Sequence, residues 1–456
     1  MNAKRHKSGA NLEREDFNRA GSLKGILRVE AQMAAMEPTD PAWRDSLMEA
    51  CVATRNMQEA WKRVKENDGA PGVDGLTIEK TKEHLRQHWT AIKAALLEGR
   101  YMPQPVRGVE IPKASGGMRQ LGIPTVVDRL IQQALLQILS PILDPTFHPN
   151  SYGFRPGKSA HQAVKQARSF VQEGRRWVVD VDLEKFFDRV NHDILMDRVA
   201  KRIEDKRMRG LIRRYLNAGI MKEGIRQERE EGTPQGGPLS PLLANLLLNE
   251  VDWALAKRGL AFCRYADDCN VYVRSKAAAE KAMQTMQKLM EELKLKINAQ
   301  KSAVARASKR KFLSFQFWFA KGQVKLKVAD QALKRFKDRI REATRRNCGR
   351  NVKQVIEGMR SYLLGWKNYF KLAETPKIFG NLDAWIRRKL RVLILKQWKT
   401  GKAVYKNLVA RGLSPETARI MAMHRNRRWA ITAGTGMNVA FPNIYFNVLG
   451  LPRLTA

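Results

Sequence analysis

Cysteine is scarce in this chain, and its placement removes two classes of protein at once. Cys51, Cys263, Cys269 and Cys348 include no C-x-x-C pair, so neither a zinc ribbon nor a disulfide scaffold is indicated. Cys263 and Cys269 could face each other across a hairpin, but ordinary packing is the expectation. No apolar run approaches the roughly 18 residues that a membrane span needs. The opening "MNAKRHKSGANLERED" lacks the apolar stretch of a signal peptide. There is no internal repeat and no low-complexity tract. His84 and His88 lie one helical turn apart, but Leu85 rather than Glu follows the first. They read as a surface pair rather than a zinc-protease site.

Acidic residues are also short. The chain sets 45 Asp and Glu against 84 Lys and Arg, a net charge of +39. A field of that sign and size implies a polyanionic partner, nucleic acid first and an anionic membrane surface as the alternative. The imbalance is uneven. Residues 321–456 hold 30 basic against 7 acidic side chains, and residues 1–320 hold 54 against 38. The C-terminal third therefore looks built around a polyanion, while the middle keeps carboxylates for another purpose. The 456 residues are enough for about two to four domains with cores of their own.

Residues 1–40 are polar and basic, and an arm is expected there. A helix is expected over 44–66, breaking at "NDGAPGVDG", and another over about 79–98. "VRGVEIPKASGGMRQLGIP" (106–124) reads as two strands around a Gly-Gly turn, and "TVVDRLIQQALLQILSPIL" as a buried helix. Trp177–Val181 is β-prone, with helical periodicity after Phe187. Helices follow at about 206–218 and 276–293, and "FLSFQFWF" reads as a final strand. Beyond Lys321 the pattern turns helical. Val352, Val355, Ile356, Met359, Leu363, Trp366 and Phe370 fall on one stripe, flanked by helical segments 328–346 and 381–399. The fold class this implies is α+β with antiparallel pairing rather than a doubly wound sheet.

The stretch "FCRYADDCNVYVRS" (262–275) places Asp267 and Asp268 side by side between two β-prone runs. An Asp-Asp at a turn is ordinarily a solvated pair bonded to local backbone. Asp182, where "VVDVDLEKFFD" passes from strand to helix, offers a third carboxylate. If the two elements neighbour each other in one sheet, the three converge at its end. Charges held that close raise each other's pKa unless a cation neutralises them. Mg²⁺ suits such oxygen ligands and bridges carboxylates to phosphates. Asp180 lies on the same strand face, one step further from the strand end, and is the second choice.

The order "IPKASGGMRQLGIPTVVDRLIQQ", "SYGFRPGKSAHQAV", "DVDLEKFFDRVNHD", "GTPQGGPLSPLLANLLLNEVD", "RYADD", "NAQKSAV" and "FLSF" resembles the reverse transcriptase of group II introns. The ending "MNVAFPNIYFNVLGL" and the basic helical region are similar to the maturase and DNA-binding parts of such proteins. The resemblance runs from about residue 45 to the end and implies a right-hand polymerase. Fingers and palm would occupy 41–321, a helical thumb/maturase domain 322–400, and a DNA-binding segment 401–456, after the arm at 1–40.

By motif, Asp182, Asp267 and Asp268 would hold two Mg²⁺ ions. Lys113 and Arg119 would grip the incoming triphosphate, with bidentate geometry open only to Arg. Phe187 would be the aromatic gate that selects deoxynucleotides, against simple core packing, since Phe186 beside it must point elsewhere. Gln235, Gly236 and Gly237 would lie beneath the nascent base pair, where glycine lets backbone approach closely. Lys301 would donate a proton to the leaving pyrophosphate, against an ordinary surface lysine. Tyr265 would pack near the primer end.

The partners implied are intron RNA, an RNA template with a DNA primer, dNTPs and target DNA, with no membrane and a cytoplasmic, nucleoid-associated location. Many relatives end in a nuclease domain with paired cysteines and histidines. Nothing of that kind follows "LGLPRLTA", so the second strand is expected to be primed from elsewhere. An intron-free reverse transcriptase for repair or defence, and an RNA-binding splicing factor alone, are the alternatives. The three aspartates argue against the latter, because RNA binding does not need them.

Overall fold

The computed structural model describes residues 46–112, 117–222, 225–227, 231–234, 236–345 and 349–455. The arm expected at 1–40, Lys113, Gln235 and Cys348 lie outside the described residues. The chain divides into two compact units, one of 1–167 with 177–305 and one of 168–176 with 306–456.

In the first unit the helix expected over 44–66 is two helices, Leu47–Val52 and Thr54–Glu66. Ala53 between them turns to φ −59°, ψ 139°, which breaks the ladder. The Asn56 amide takes up carbonyls there, donating to Cys51 O at 2.8 Å and to Ala134 O at 3.2 Å. Among the described residues eight strands follow: β1 (Val106–Pro112), β2 (Met118–Ile123), β3 (Trp177–Val181), β4 (Ile220–Lys222), β5 (Ile225–Gln227), β6 (Ala261–Tyr265), β7 (Asp268–Val273) and β8 (Ala303–Arg306). They form two sheets, β2-β1-β4-β5 and β6-β7-β3-β8. The β1–β4 pairing is parallel; β1–β2, β4–β5, β3–β7 and β6–β7 are antiparallel.

The helix Val126–Leu143 runs through the core. Its first turn is capped by Thr125, whose hydroxyl accepts from Asp128 N at 3.0 Å. The sequence reading of no membrane-length apolar run needs correction here. Val126–Thr146 is long and apolar enough by length and composition to cross a membrane, yet 67% of its apolar 18-residue stretch is buried inside the protein. A core helix hydrophobic on most sides satisfies the same test. The helices Ser240–Lys257 and Lys276–Glu292 contribute Leu243, Leu247, Ala279 and Met286 to the core that also holds Val179, Phe262 and Val271 of the second sheet. Cys263 and Cys269 are both buried free thiols. Cys263 pairs in register with Asn270 and Cys269 with Arg264, so they are not directly opposed.

In the second unit the single strand expected at "FLSFQFWF" is broken. Leu313 and Ser314 adopt φ 49° and 67°, separating β9 (Lys311–Phe312) from β10 (Phe315–Ala320). A further strand, β11 (Gln323–Val328), lies where helix was expected. Val324, Leu326 and Val328 are buried in alternation, a period of two that Lys325 and Lys327 between them obscure. The helices Asp330–Ala343, Val352–Phe370 and Pro376–Gln397 follow. All seven residues of the stripe on the second are buried. Asn351 closes that helix with a reciprocal capping box to Gln354. Five short helices then run from Gly401 to Val448.

Candidate active site

Strands β6 and β7 are joined by a two-residue turn, Ala266–Asp267, with Tyr265 opposite Asp268. Ala266 sits at φ 59°, the left-handed region that glycine fills more cheaply. Strand β7 then pairs with β3, the last pair being Val181 with Cys269. Continuing that register by one step sets Asp182 opposite Asp268. The three aspartates therefore lie at the same end of the sheet β6-β7-β3-β8.

The turn is held from beneath by a buried polar network. Arg264 Nε donates to Asp252 Oδ1 at 2.8 Å, and its Nη1 donates to Asn245 Oδ1 and to Ala266 O, each at 2.9 Å. Asn245 Nδ2 donates in turn to Gly153 O at 2.8 Å. Gly153 lies so close to the turn that a Cβ there would stand 2.3 Å from Ala266 N. Arg264 and Asp252 are almost wholly buried. Such a pair costs much to break because either partner alone is an uncompensated buried charge.

Asp182 is fixed by a different segment. Its N–H donates to Ser302 Oγ at 3.0 Å, and its carbonyl accepts from Asn298 N at 2.8 Å. The same turn places Lys301 Nζ 3.6 Å from Asp182 Oδ1, both side chains being roughly half exposed.

The electrostatics agree with crowding of like charge. Burial raises the Asp267 pKa and the negative charge of Asp182 adds to it, opposed by a backbone hydrogen bond and by the positive fields of Arg119 and Arg264. Arg119, on β2 opposite Ile111, is therefore within electrostatic reach of the turn. Asp180 is one step back and opposite Asn270. With its amide nitrogen turned toward acceptors, Asn270 donates to Asp180 Oδ1 at 3.0 Å, which gives Asp180 a structural partner.

Phe186 is buried in the core, whereas Phe187, five residues after Asp182, is only partly buried at the edge of the same core. The two rings meet edge to face at 5.1 Å. Phe187 O accepts from Thr233 N at 2.7 Å, which ties it to the Gly-rich loop. In that loop Gly236 has φ 136°, and a Cβ there would stand 2.6 Å from Gly122 O of β2. A Cβ on Gly237 would stand 2.4 Å from Gln132 Oε1. Gly236 is thus required by its φ and by close approach to backbone, whereas at Gly237 the neighbour is the end of the Gln132 side chain, which can shift.

The donor set suits a hard divalent cation: carboxylate oxygens with surplus negative charge at a partly open strand end. Among the described residues no three acidic, His or Cys side chains are gathered tightly enough to hold an ion unaided. Mg²⁺ does not require that, since it binds through one or two carboxylates and completes its shell with phosphate and water.

Sequence reasoning missed the supports. Ser302 stands next to Lys301 in "NAQKS", and Gly153 within "SYGFRPG", but nothing local says that one bonds Asp182 and the other abuts the turn.

Residues 111–317 match the family described as reverse transcriptase (RNA-dependent DNA polymerase), and residues 333–412 match the group II intron maturase-specific domain. Protein YkfC of Escherichia coli (strain K12) is 34% identical over 321 residues, 61% of this chain and 84% of that protein. Group II intron-encoded protein LtrA of Lactococcus lactis subsp. cremoris is 41% identical over 194 residues, 42% of this chain and 31% of the relative. Nuclear intron maturase 1, mitochondrial, of Arabidopsis thaliana is 27% identical over 181 residues, 28% of this chain and 25% of the relative. The fold is that of a right-hand polymerase. The chain belongs to the group II intron-encoded reverse transcriptases, carrying the polymerase domain and the maturase-specific domain of that family together.

Proposed function

We propose that the protein copies RNA into DNA at the Asp182, Asp267 and Asp268 end of its sheet, and that it binds its parent intron RNA to promote splicing and reverse splicing. The observation that carries the first part is the register that ends with Val181 opposite Cys269, which leaves Asp182 and Asp268 as the next residues at that sheet end, with the Asp267 pKa raised by burial and by Asp182's charge. Two Mg²⁺ ions bound there would stabilise the attacking and leaving oxygens of an in-line displacement. In that displacement the primer 3′-hydroxyl forms a bond to the α-phosphorus of a dNTP, the bond to pyrophosphate breaks, and the hydroxyl proton is released.

The chain's own residues orient these groups. Asp182, Asp267 and Asp268 supply the oxygen ligands, and the Ser302 and Asn298 bonds keep Asp182 in place. Lys301, 3.6 Å from Asp182, serves as the cation and proton donor nearest the leaving group. Arg119, with Lys113, holds the triphosphate. Phe187 stands beneath the sugar and excludes a 2′-hydroxyl. Gln235, Gly236 and Gly237 form the floor under the nascent pair. Basic helices of the second unit fit structured RNA, which is read through phosphates, shape and 2′-hydroxyls. Target DNA would meet the segment 401–456, in a cytoplasmic, nucleoid-associated setting.

Primer extension on an RNA template with Mg²⁺ and dNTPs tests the polymerase reading. Asp267→Ala/Asp268→Ala should lower the rate by about a hundredfold or more, a loss typical of groups that stabilise transition-state charge. Intron RNA binding should persist in that variant. A wild type that makes no DNA yet still promotes splicing would reduce the protein to a maturase alone.

A further inference from the structure

The second unit carries an alternating ladder of cations and indole rings drawn from three helices. Arg341, on Asp330–Ala343, lies 5.8 Å from the Trp385 ring of Pro376–Gln397. Lys389 lies 5.7 Å from that ring and 5.4 Å from the Trp429 ring of the helix Arg428–Ile431. Arg388 closes the array, stacked 3.9 Å over Trp429 with its Nη2 donating to Trp429 O at 2.7 Å. Three cations thus alternate with two rings. The array is not a core element, since Trp429 is 40% exposed and Asn426, Arg427 and Ala430 around it are exposed too. Arg341 also pairs with Asp338 at 2.6 Å, one turn back on its own helix and about half exposed, so solvent screens that pair and leaves the guanidinium open to exchange.

We propose that this ladder is a docking surface for unpaired RNA nucleotides, whose bases stack against Trp385 and Trp429 while their phosphates lie on Arg341, Arg388 and Lys389. Ring faces in a row with cations are the chemistry that single strands use, because each base offers a π-face and each linkage a charge. A duplex cannot use the rings, since its bases are stacked inside it. A membrane interface also favours tryptophan beside lysine, but it asks for a continuous apolar face, whereas the exposed neighbours of Trp429 in sequence include His424, Asn426 and Arg427 beside Met423 and Ala430. Anionic vesicles are therefore an arm of the test. RNA rather than DNA is the source because four of the five ladder residues, Arg341, Trp385, Arg388 and Lys389, fall in the maturase-specific match. Trp429 lies beyond it, in the segment given above to target DNA, which is why the DNA-tailed probe is part of the test. The inference rests on the RNA-binding reading above and adds to it which part of the RNA is held.

The test uses the full chain and fluorescence anisotropy on three probes: a fully paired RNA, the same duplex with a single-stranded RNA tail, and the duplex with a DNA tail. Trp429→Ala and Trp385→Ala should each weaken the RNA-tailed probe about tenfold, equivalent to ~1.4 kcal/mol, and leave the paired RNA within about twofold. Trp429→Phe, which keeps a ring and guards against misfolding, should recover most of the loss. Lys389→Met, a milder surface change, should lower the salt slope for the RNA-tailed probe by about one. Equal losses on paired and tailed RNA, no loss, or loss on the DNA tail alone would overturn the proposal. So would variants that lose only binding to anionic vesicles. A wild type that binds no RNA at all would overturn the RNA-binding reading and this one with it, whereas binding of paired RNA without a tail effect sinks the ladder alone.

Discussion

At the residue scale the turn that carries Asp267 depends on residues packed beneath it. Gly153 shows this most directly, because its missing Cβ is the space into which the Ala266–Asp267 turn fits. A methyl group there meets Ala266 N at 2.3 Å and the Tyr265 carbonyl carbon at 2.9 Å. These are backbone atoms, which cannot swing aside as a flexible side chain could. Gly153→Ala should therefore displace Asp267 and cut the turnover rate of primer extension about tenfold or more, while overpacking costs about 1–3 kcal/mol of stability. Gly365→Ala is the control, since its Cβ meets nothing within 4 Å on an exposed helical face. It should leave turnover unchanged and stabilise the helix by about 0.5–1 kcal/mol. Steady-state kinetics beside urea unfolding separate the two effects. A Gly153→Ala enzyme with wild-type turnover would show that the close packing does not position the turn.

At the element scale, Asp128 binds three parts of the first unit together. Thr125 Oγ1 donates to its carboxylate at 2.7 Å, Tyr101 OH at 2.9 Å, Gln104 N at 3.2 Å and Tyr215 OH at 3.2 Å. The start of the core helix, the loop before β1 and the helix Lys206–Asn217 all converge on it. Burial pushes its pKa up to about 6, and the four donors restrain the rise. A folded pKa above the unfolded value means that the folded state binds the extra proton. That stabilisation is fully present below about pH 4 and is lost as pH rises to about 6, a change of roughly 3 kcal/mol. The stability gap between wild type and Asp128→Asn should therefore shrink as urea unfolding is moved from about pH 4 to about pH 7. A gap that does not change with pH would mean that Asp128 titrates normally. None of these partners is readable from the sequence, because Tyr101, Asp128 and Tyr215 are joined only by the fold. The same limit explains Ser302 and Gly153. By contrast, the helices 78–97, 206–217 and 276–292 and the strand pair around 106–123 are legible, since local periodicity and turn residues determine them. The break at Ala53 and the strand β11 were not. One depends on an Asn56 side chain reaching another helix, and the other carries lysines on its outward face.

At the scale of the whole molecule, the charge of +39 is neutralised by counterions that bound phosphate, on the reading proposed above, would displace. Its distribution says where: 30 basic against 7 acidic side chains in residues 321–456, compared with 54 against 38 before them. Cations without nearby carboxylates are available to phosphates, whereas several in the first unit are committed internally. Arg207 grips Glu49, Arg155 grips Asp144, and Arg264 grips Asp252. Each phosphate neutralised releases counterion, so binding to structured RNA should fall steeply with salt, by about 10³–10⁵ between roughly 50 and 200 mM if some 6–10 phosphates are neutralised. The slope should respond unequally to where charge is removed. Lys334→Gln/Lys353→Gln, on exposed helical faces of the second unit, should lower it by up to about two, one for each phosphate left without its lysine. Lys62→Gln/Lys65→Gln, equally exposed on the first unit, should lower it less. Binding isotherms at four or more salt concentrations give both slopes directly. If the two pairs lowered the slope equally, the net charge would act as a diffuse field and the asymmetry of the sequence would have no bearing on where the RNA sits.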